Sequence, residues 1–379
     1  MKFRSVGAIV VAMLIAAAAC SACSSSKNNS ATTTTAPKCT PPGPWGWPGT
    51  CATGFLAPGQ PDVNGDGKVV IGILSPGNTH DKGYYESFVD EADSLAQTKG
   101  WKVITVDQVQ ASDAAADARN LCRQKVDMVA IAASTLSDAI PVASEAVCKG
   151  TVWYVAGGQG VVQNKYFAQT NDIESQSGYA SGVAAGLVMK AKGITKAGFI
   201  SGMEAAFTTN FEKAWEVGIK TQVANATVVS TYTGDFDKSD LAVEAYAAMK
   251  AKGVGLVYPY LGGATDAVAA QAAKDGVPTL TPGTDRCAST SPPYTISVIF
   301  SPGDYFAGAL TAFGNGTLRV GTALTFHMGV DAAPTVKICK PTGDQASVLA
   351  KTISDIGTGV INTGTVTGLD DYNGYVPTR

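Results

Sequence analysis

Residues Lys196–Asp237 read KAGFISGMEAAFTTNFEKAWEVGIKTQVANATVVSTYTGDFD. An apolar run, Ala197–Ile200, ends in Ser-Gly; an amphipathic segment follows, and a second apolar run closes on Thr233-Gly234-Asp235. Strand, loop, helix, strand is the order of a βαβ unit, whose parallel strands need a crossover of about a dozen residues or more. Ligands of such sheets lie beyond the carboxyl ends of the strands, which puts the loop Ser201–Phe207 on a ligand-facing edge.

The same order repeats on both sides of this unit. Upstream, strands are expected at Val69–Leu74, Trp101–Val106, Asp127–Ala133, Val152–Ala156 and Tyr166–Gln169. Helices are expected at Lys82–Lys99, Ala111–Gln124 and Asp138–Cys148, then at Glu174–Lys190, whose many small residues suit close packing. Downstream come helices at Ser239–Lys252, Ala264–Asp275 and Pro302–Phe313, with strands at Gly255–Tyr260, Thr279–Thr281 and Thr295–Phe300. The tail to Arg379 is Gly/Thr-rich and mixed. Two successive α/β halves of similar size describe two Rossmann-like lobes with parallel sheets, joined near Thr170–Ile173 and again near Asp285. The expected division is residues 67–171 plus 286–325 for lobe 1, and 172–285 plus 326–379 for lobe 2. A cleft between lobes is a preferred place for a small-molecule site, and repeated crossings make a hinge.

With 379 residues the chain is long enough for two domains. It is 45% hydrophobic and 16% charged, which suits large buried sheets. A net charge of −3 without basic blocks gives no footprint for nucleic acid. Residues 1–20 read as an export signal: Lys2 and Arg4, an apolar stretch Val6–Ala19, then small residues before Cys20. A small-residue run ending in Cys resembles a bacterial lipobox, with Cys20 the lipidation candidate and Cys23 its competitor. Residues 21–66 begin as a Ser/Thr/Asn-rich tether and continue into a Cys/Pro/Trp-rich segment. Setting Cys20 and Cys23 aside leaves six cysteines, an even count that favours disulfides in an exported chain, with 15 possible connectivities. Proximity and place in the repeat suggest Cys39–Cys51, Cys122–Cys148 and Cys287–Cys339. Asp62–Gly67 starts like a calcium loop, but the twelfth position is Ile73 rather than Glu, so it reads as a polar turn.

Several segments together resemble one family. Asp81–Tyr85 (DKGYY) is similar to the D-K-x-F/Y-N loop of the basic membrane protein family, lipoproteins that bind purine nucleosides for ABC importers. Gly178–Gly186 (GYASGVAAG), Gly198–Glu204 (GFISGME) with Phe211, Trp215 and Gly218, Tyr232–Asp237 (YTGDFD) and Val257–Gly263 (VYPYLGG) resemble further stretches of that family, in the same order. The likeness runs from about Lys68 to Phe313. It implies a type I periplasmic-binding-protein fold in which two aromatic rings sandwich the purine; carried over, these are Tyr84 (or Tyr85) and Tyr258. Asp81 would accept from the base, or cap the following helix, and Asp285 would hold ribose hydroxyls. Ser134, Met203 and Phe300 complete the candidate contacts.

The chain also departs from the pattern. Phe300 stands where the family has a ribose-binding Lys, and Tyr85 where it has Asn, so the pocket is more aromatic and less polar. The expected ligand is therefore a different nucleoside, a base or another ring-bearing solute. Gly157-Gly158-Gln159-Gly160 lacks the third glycine of a dinucleotide fingerprint, and no nucleophile elbow, zinc-protease motif or P-loop occurs in the sequence. The expectation is thus a monomeric, lipid-anchored binding protein on the outer face of the membrane, without catalysis or cofactor, delivering a nucleoside-like ligand to an ABC permease. A binder of sugars or other solutes, a sensing lipoprotein, and an extracellular hydrolase are the alternatives.

Overall fold

Runs such as Val-Ile-Gly-Ile-Leu and Val-Trp-Tyr-Val-Ala bury nearly every side chain, which marks strands covered by helices on both faces. A computed structural model describes Trp45, Trp47 and residues 54–158 and 161–369. These belong to one compact unit, Cys39–Arg379. Cys20, Cys23, the tether and the expected Cys39–Cys51 pair lie outside the described residues.

In chain order the elements are β1 (Phe55–Leu56), β2 (Val70–Leu74), α1 (Tyr84–Lys99), β3 (Lys102–Val106), α2 (Ala114–Arg123), β4 (Met128–Ile131), β5 (Val152–Ala156) and β6 (Phe167–Asp172). There follow α3 (Glu174–Lys192), β7 (Lys196–Ser201), α4 (Ala206–Gln222), β8 (Thr227–Tyr232), α5 (Ser239–Ala251), β9 (Leu256–Tyr260), α6 (Thr265–Lys274), β10 (Leu280–Gly283) and β11 (Ile296–Ile299). The remainder comprises α7 (Pro302–Gly314), β12 (Arg319–Val320), β13 (Thr322–Phe326), β14 (Thr335–Ile338), α8 (Gln345–Gly357) and α9 (Thr363–Thr367).

The first sheet is wholly parallel, in the order β13-β6-β5-β4-β2-β3. The second runs β8-β7-β9, continues through a parallel bridge from Val257 to Thr279 onto β10 and β11, and ends in antiparallel β14. The chain passes between the sheets three times, at Ile173, at Phe300–Ser301 and over residues 327–334. Helix α7 returns to the first sheet, where Phe306 stacks on Phe88 of α1 with centroids 4.1 Å apart. In the second lobe α3 lies against α4 at backbone contact. A Cβ on Gly182 would stand 2.1 Å from the Trp215 carbonyl oxygen, so only glycine allows this crossing.

Two expectations are revised. Strand β11 pairs in register with β10, Ile296 opposite Leu280, so the second crossing comes after Ile299 rather than near Asp285. The segment expected as a helix at Asp138–Cys148 is instead 3-10 turns at Ser134–Ser144 and Ala146–Cys148, because Pro141 has no N–H for an α-helical bond. The Gly/Thr-rich tail supplies β13 to the first sheet and β14, α8 and α9 to the second lobe, where Gln345 Nε2 donates to the Leu187 carbonyl at 3.2 Å. Asp62 forms the expected turn, its carboxylate accepting from the N–H groups of Gly65, Asp66 and Gly67. The sulfurs of Cys122 and Cys148 are 2.00 Å apart, and those of Cys287 and Cys339 are 2.11 Å apart.

Candidate functional site

Parallel strands present their carboxyl ends to one edge of a sheet, and here the edges of the two sheets face each other. Between them is a cleft of about 120 Å³. Its lining comes almost entirely from residues just past strand ends: Ala133–Thr135 after β4, Gly157 and Gly158 after β5, Asp172 and Glu174 around the first crossing. Phe236 follows β8, Tyr260 and Leu261 close β9, Pro282 lies in β10 and Phe300 follows β11. The starts of two helices complete it, with Tyr84 and Tyr85 from α1 and Phe207 and Phe211 from α4.

The aromatic side chains of the lining fall into three groups in ring contact. Tyr260 stacks on Phe211 at 4.6 Å and meets Phe300 edge-on at 6.2 Å. Phe207 stacks on Phe236 at 6.3 Å, and Tyr84 meets Tyr85 edge-on at 5.2 Å. Phe236 has room for its ring only because residue 202 is glycine: a Cβ there would be 2.5 Å from Phe236 Cγ. Burial pushes the Tyr260 hydroxyl well above its ordinary pKa, and the charges of Asp172 and Glu174 push it further. Tyr84 is raised likewise by burial, then by Tyr85 and Asp172. Both hydroxyls thus stay neutral.

Polar contacts hold the lobes together beside the cleft. The Asn78 N–H, after β2, donates to Asp237 Oδ2 at 3.0 Å, while Asp237 Oδ1 accepts from Gly263 N–H at 2.6 Å. Lys82 pairs with Asp266 at 3.6 Å, and Asp266 also receives Arg286 and the Tyr294 hydroxyl.

Of the residues expected at the site, Tyr84, Tyr85, Ser134 and Phe300 line the cleft. Tyr258 does not. It is fully buried among Phe199, Phe211 and Trp215. Residues two apart on a strand share a face about 6.6 Å apart, so Tyr258 lies one repeat deeper than Tyr260, which takes the cleft position. Asp81 faces its own helix: its carboxylate accepts from the N–H groups of Gly83, Tyr85 and Glu86. Burial raises its pKa despite these donors. Asp285 pairs with Lys337 and accepts from Cys287 N–H at 3.1 Å, away from the lining. Met203 is 41% exposed and outside the lining. Sequence reading missed Tyr260, Phe207, Phe236, Asp172 and Glu174; each follows or ends a strand, or starts a helix, and that position was the available signal.

A family model for PnrA-like ABC transporter substrate-binding proteins matches residues 68–334. A stretch of 99 residues is 34% identical to the ABC transporter nucleoside-binding protein BmpA of Lactococcus lactis subsp. cremoris, covering 26% of this chain and 27% of that protein, so the match spans about a quarter of the relative's length. Among solved structures, a solute-binding protein from Aeropyrum pernix K1 is similar with a TM-score of 0.61 at 17% identity, over 79% of this chain and 84% of that one. One from Conexibacter woesei gives 0.59 at 18% identity, over 78% and 98%. The arabinose-binding component from Shewanella sp. ANA-3 gives 0.54 at 18% identity, over 75% and 95%. These likenesses establish the type I periplasmic-binding-protein fold.

Proposed function

Because this chain belongs to the family of PnrA-like ABC transporter substrate-binding proteins, we propose that it captures a ring-bearing, nucleoside-like solute in the inter-lobe cleft and delivers it to a membrane permease. The observation that carries this reading is the layer of aromatic side chains from both lobes facing one cleft. Stacking on a base contributes about 1–3 kcal/mol and requires only a π-face. Tyr260 and Tyr84 or Tyr85 are the stacking rings of this proposal, with Phe207 and Phe236 at the side. The name of the L. lactis relative, a nucleoside-binding protein, supports the same ligand class.

The working cycle follows from the three crossings. Pocket volumes for drug-sized ligands run about 300–1,000 Å³. A cleft of about 120 Å³ admits such a solute only when the lobes part, and hinge motion at the crossings supplies that. Closure then remakes the contacts of Asn78 with Asp237 and Lys82 with Asp266. Asp172 and Glu174, at the first crossing, accept from ligand hydroxyls or amines.

The remaining parts of the reading concern address and chemistry. The chain is exported and tethered by lipid at Cys20 or Cys23, and works as a monomer that binds without catalysis. Its two cysteine pairs form disulfides in that oxidising setting. Among the described residues no helix is long and apolar enough to cross a membrane.

A thermal-shift panel of nucleosides, bases, sugars and amino acids tests the proposal. A ligand specific to the folded state adds about 2.7 kcal/mol at a hundredfold excess over its dissociation constant. A shift with nucleosides that is lost in Tyr260→Ala is the expected outcome. A shift with sugars alone would remove the nucleoside-like ligand and leave the family role.

A further inference from the structure

We propose that the amino edge of the first sheet is a membrane-docking surface that rests on anionic lipid headgroups. The inference rests on the lipid-tethered reading of the N-terminus and names what the tether holds the protein against. Parallel strands put their amino ends on one edge, opposite the carboxyl ends that line the cleft. A groove of about 760 Å³ lies along that amino edge. Its lysines each come shortly before a strand: Lys125 before β4, Lys149 before β5 and Lys165 before β6. All three are exposed, and none of them forms an ion pair among the described residues. The acid of the lining, Asp66, turns its carboxylate to the Lys68 N–H at 3.0 Å. In a chain of net charge −3, this groove is a local reversal of sign.

Exposed apolar side chains border the lysines. Phe55 and Leu56 of β1 are 64% and 51% exposed, and Val147 and Tyr166 of the lining are exposed as well. Phe55 and Lys165 flank one residue: a Cβ on Gly321 would stand 3.2 Å from Phe55 Cδ2 and 3.3 Å from Lys165 Cα. The Lys165 ammonium lies 5.2 Å from the centre of the Tyr166 ring. Apolar and aromatic groups interleaved with lysines suit a bilayer interface, where the former enter the headgroup boundary and the latter are drawn to anionic lipid. The second lobe supplies the contrast. The groove at the amino ends of β10 and β11 is smaller, about 190 Å³, with one lysine, Lys192, and its larger apolar members, Val277 and Tyr294, are buried. Lysines at strand starts alone therefore do not account for charge beside exposed apolar groups on the first lobe. Between Cys20 and Trp45 lie 24 residues, a length that spans at most about 85 Å, so a lipid at Cys20 keeps this edge within reach of the bilayer. The cleft then opens on the side away from the lipid.

The test is lysine footprinting of the full chain, as an exporting bacterium processes it, on two kinds of vesicle. One is phosphatidylcholine alone, the other an equimolar mixture of phosphatidylcholine and phosphatidylglycerol. An acylating reagent followed by mass spectrometry reads each lysine. On the anionic vesicles Lys125, Lys149 and Lys165 are expected to react roughly fivefold or more slowly than on phosphatidylcholine, while Lys192 and Lys238 of the second lobe keep their rates. The protection should vanish in high salt, a reading that no folding defect affects. Phe55→Ser combined with Leu56→Ser, at two exposed positions, should reduce it with the melting temperature unchanged. Equal rates on the two kinds of vesicle, or slowing spread evenly over both lobes, overturns the docking surface. Slowing by glycerol 3-phosphate without vesicles assigns the groove to a small anion and overturns it as well. The tether is read separately, from whether the chain sediments with phosphatidylcholine vesicles in high salt. A chain that washes off yet shows the footprint on anionic vesicles at low salt keeps the surface and removes the tether. A chain that stays without the footprint keeps the tether and removes the surface.

Discussion

On the second lobe the cleft surface is an extension of the core. Tyr260 rests on Phe211, which is fully buried and touches Tyr258, itself packed on Trp215 and Phe199. On the first lobe the facing wall is the start of α1 and a rim of small groups, Ala133, Ser134, Gly157 and Gly158. The two tyrosines there divide: Tyr85 packs with its own lobe, whereas Tyr84 packs across the cleft against the core of the other. On the proposed reading, a ligand would meet an aromatic floor continuous with the core on one side and the start of α1 with a rim of small groups on the other. Binding strength should come mainly from the floor, and closure from the facing wall.

The contrast is sharpest in stability. Trp215→Ala removes a fully buried side chain beneath the floor and should cost about 3–5 kcal/mol in urea unfolding, while Ser134→Ala on the opposite wall should stay within about 0.5 kcal/mol. Equal losses would erase the distinction between floor and facing wall. Next in size is Tyr260→Ala, expected to weaken ligand binding by about 1–3 kcal/mol in calorimetry with the fold retained. A smaller effect belongs to the facing wall. Lys82→Ala breaks an exposed ion pair worth about 1 kcal/mol or less and should speed ligand release in stopped-flow traces without a change in melting temperature. Its partner Asp266 is pushed up by burial, but Arg286, Tyr294 and Lys82 outweigh this and hold its pKa below the usual value. A lowered folded-state value means that the contribution of Asp266 is present above the unfolded value and is lost as pH falls through the folded one. Small-angle scattering should accordingly find the closed form steady at neutral pH and loosened only in strong acid. Smallest of all is Tyr258→Phe. Its buried hydroxyl has no partner among the described residues, so melting should be unchanged or slightly higher.

The repeat of βαβ units was legible because period and length distinguish buried parallel strands from helices, and most element boundaries moved by only a few residues. Residues 315–369 were not legible. Gly and Thr dilute the period there, and β13 and β14 are specified by the sheet edges they join rather than by their own pattern. At the site, residue types were read better than depth. Tyr258 and Tyr260 share one strand face, and nothing local tells which of them ends in the core and which beyond the sheet edge. Asp81 shows the same limit, since a carboxylate before a helix serves its own backbone or a ligand with equal sequence signature.

The central claim is that a ring-bearing solute lies on Tyr260 between the lobes. The most direct test titrates adenosine and guanosine into the unaltered chain, Tyr260→Ala and Tyr258→Phe, following intrinsic fluorescence, with circular dichroism confirming the fold of each. The account predicts saturable binding by the unaltered chain, a loss of tenfold or more in Tyr260→Ala and none in Tyr258→Phe. Equal affinity in the unaltered chain and Tyr260→Ala would contradict it.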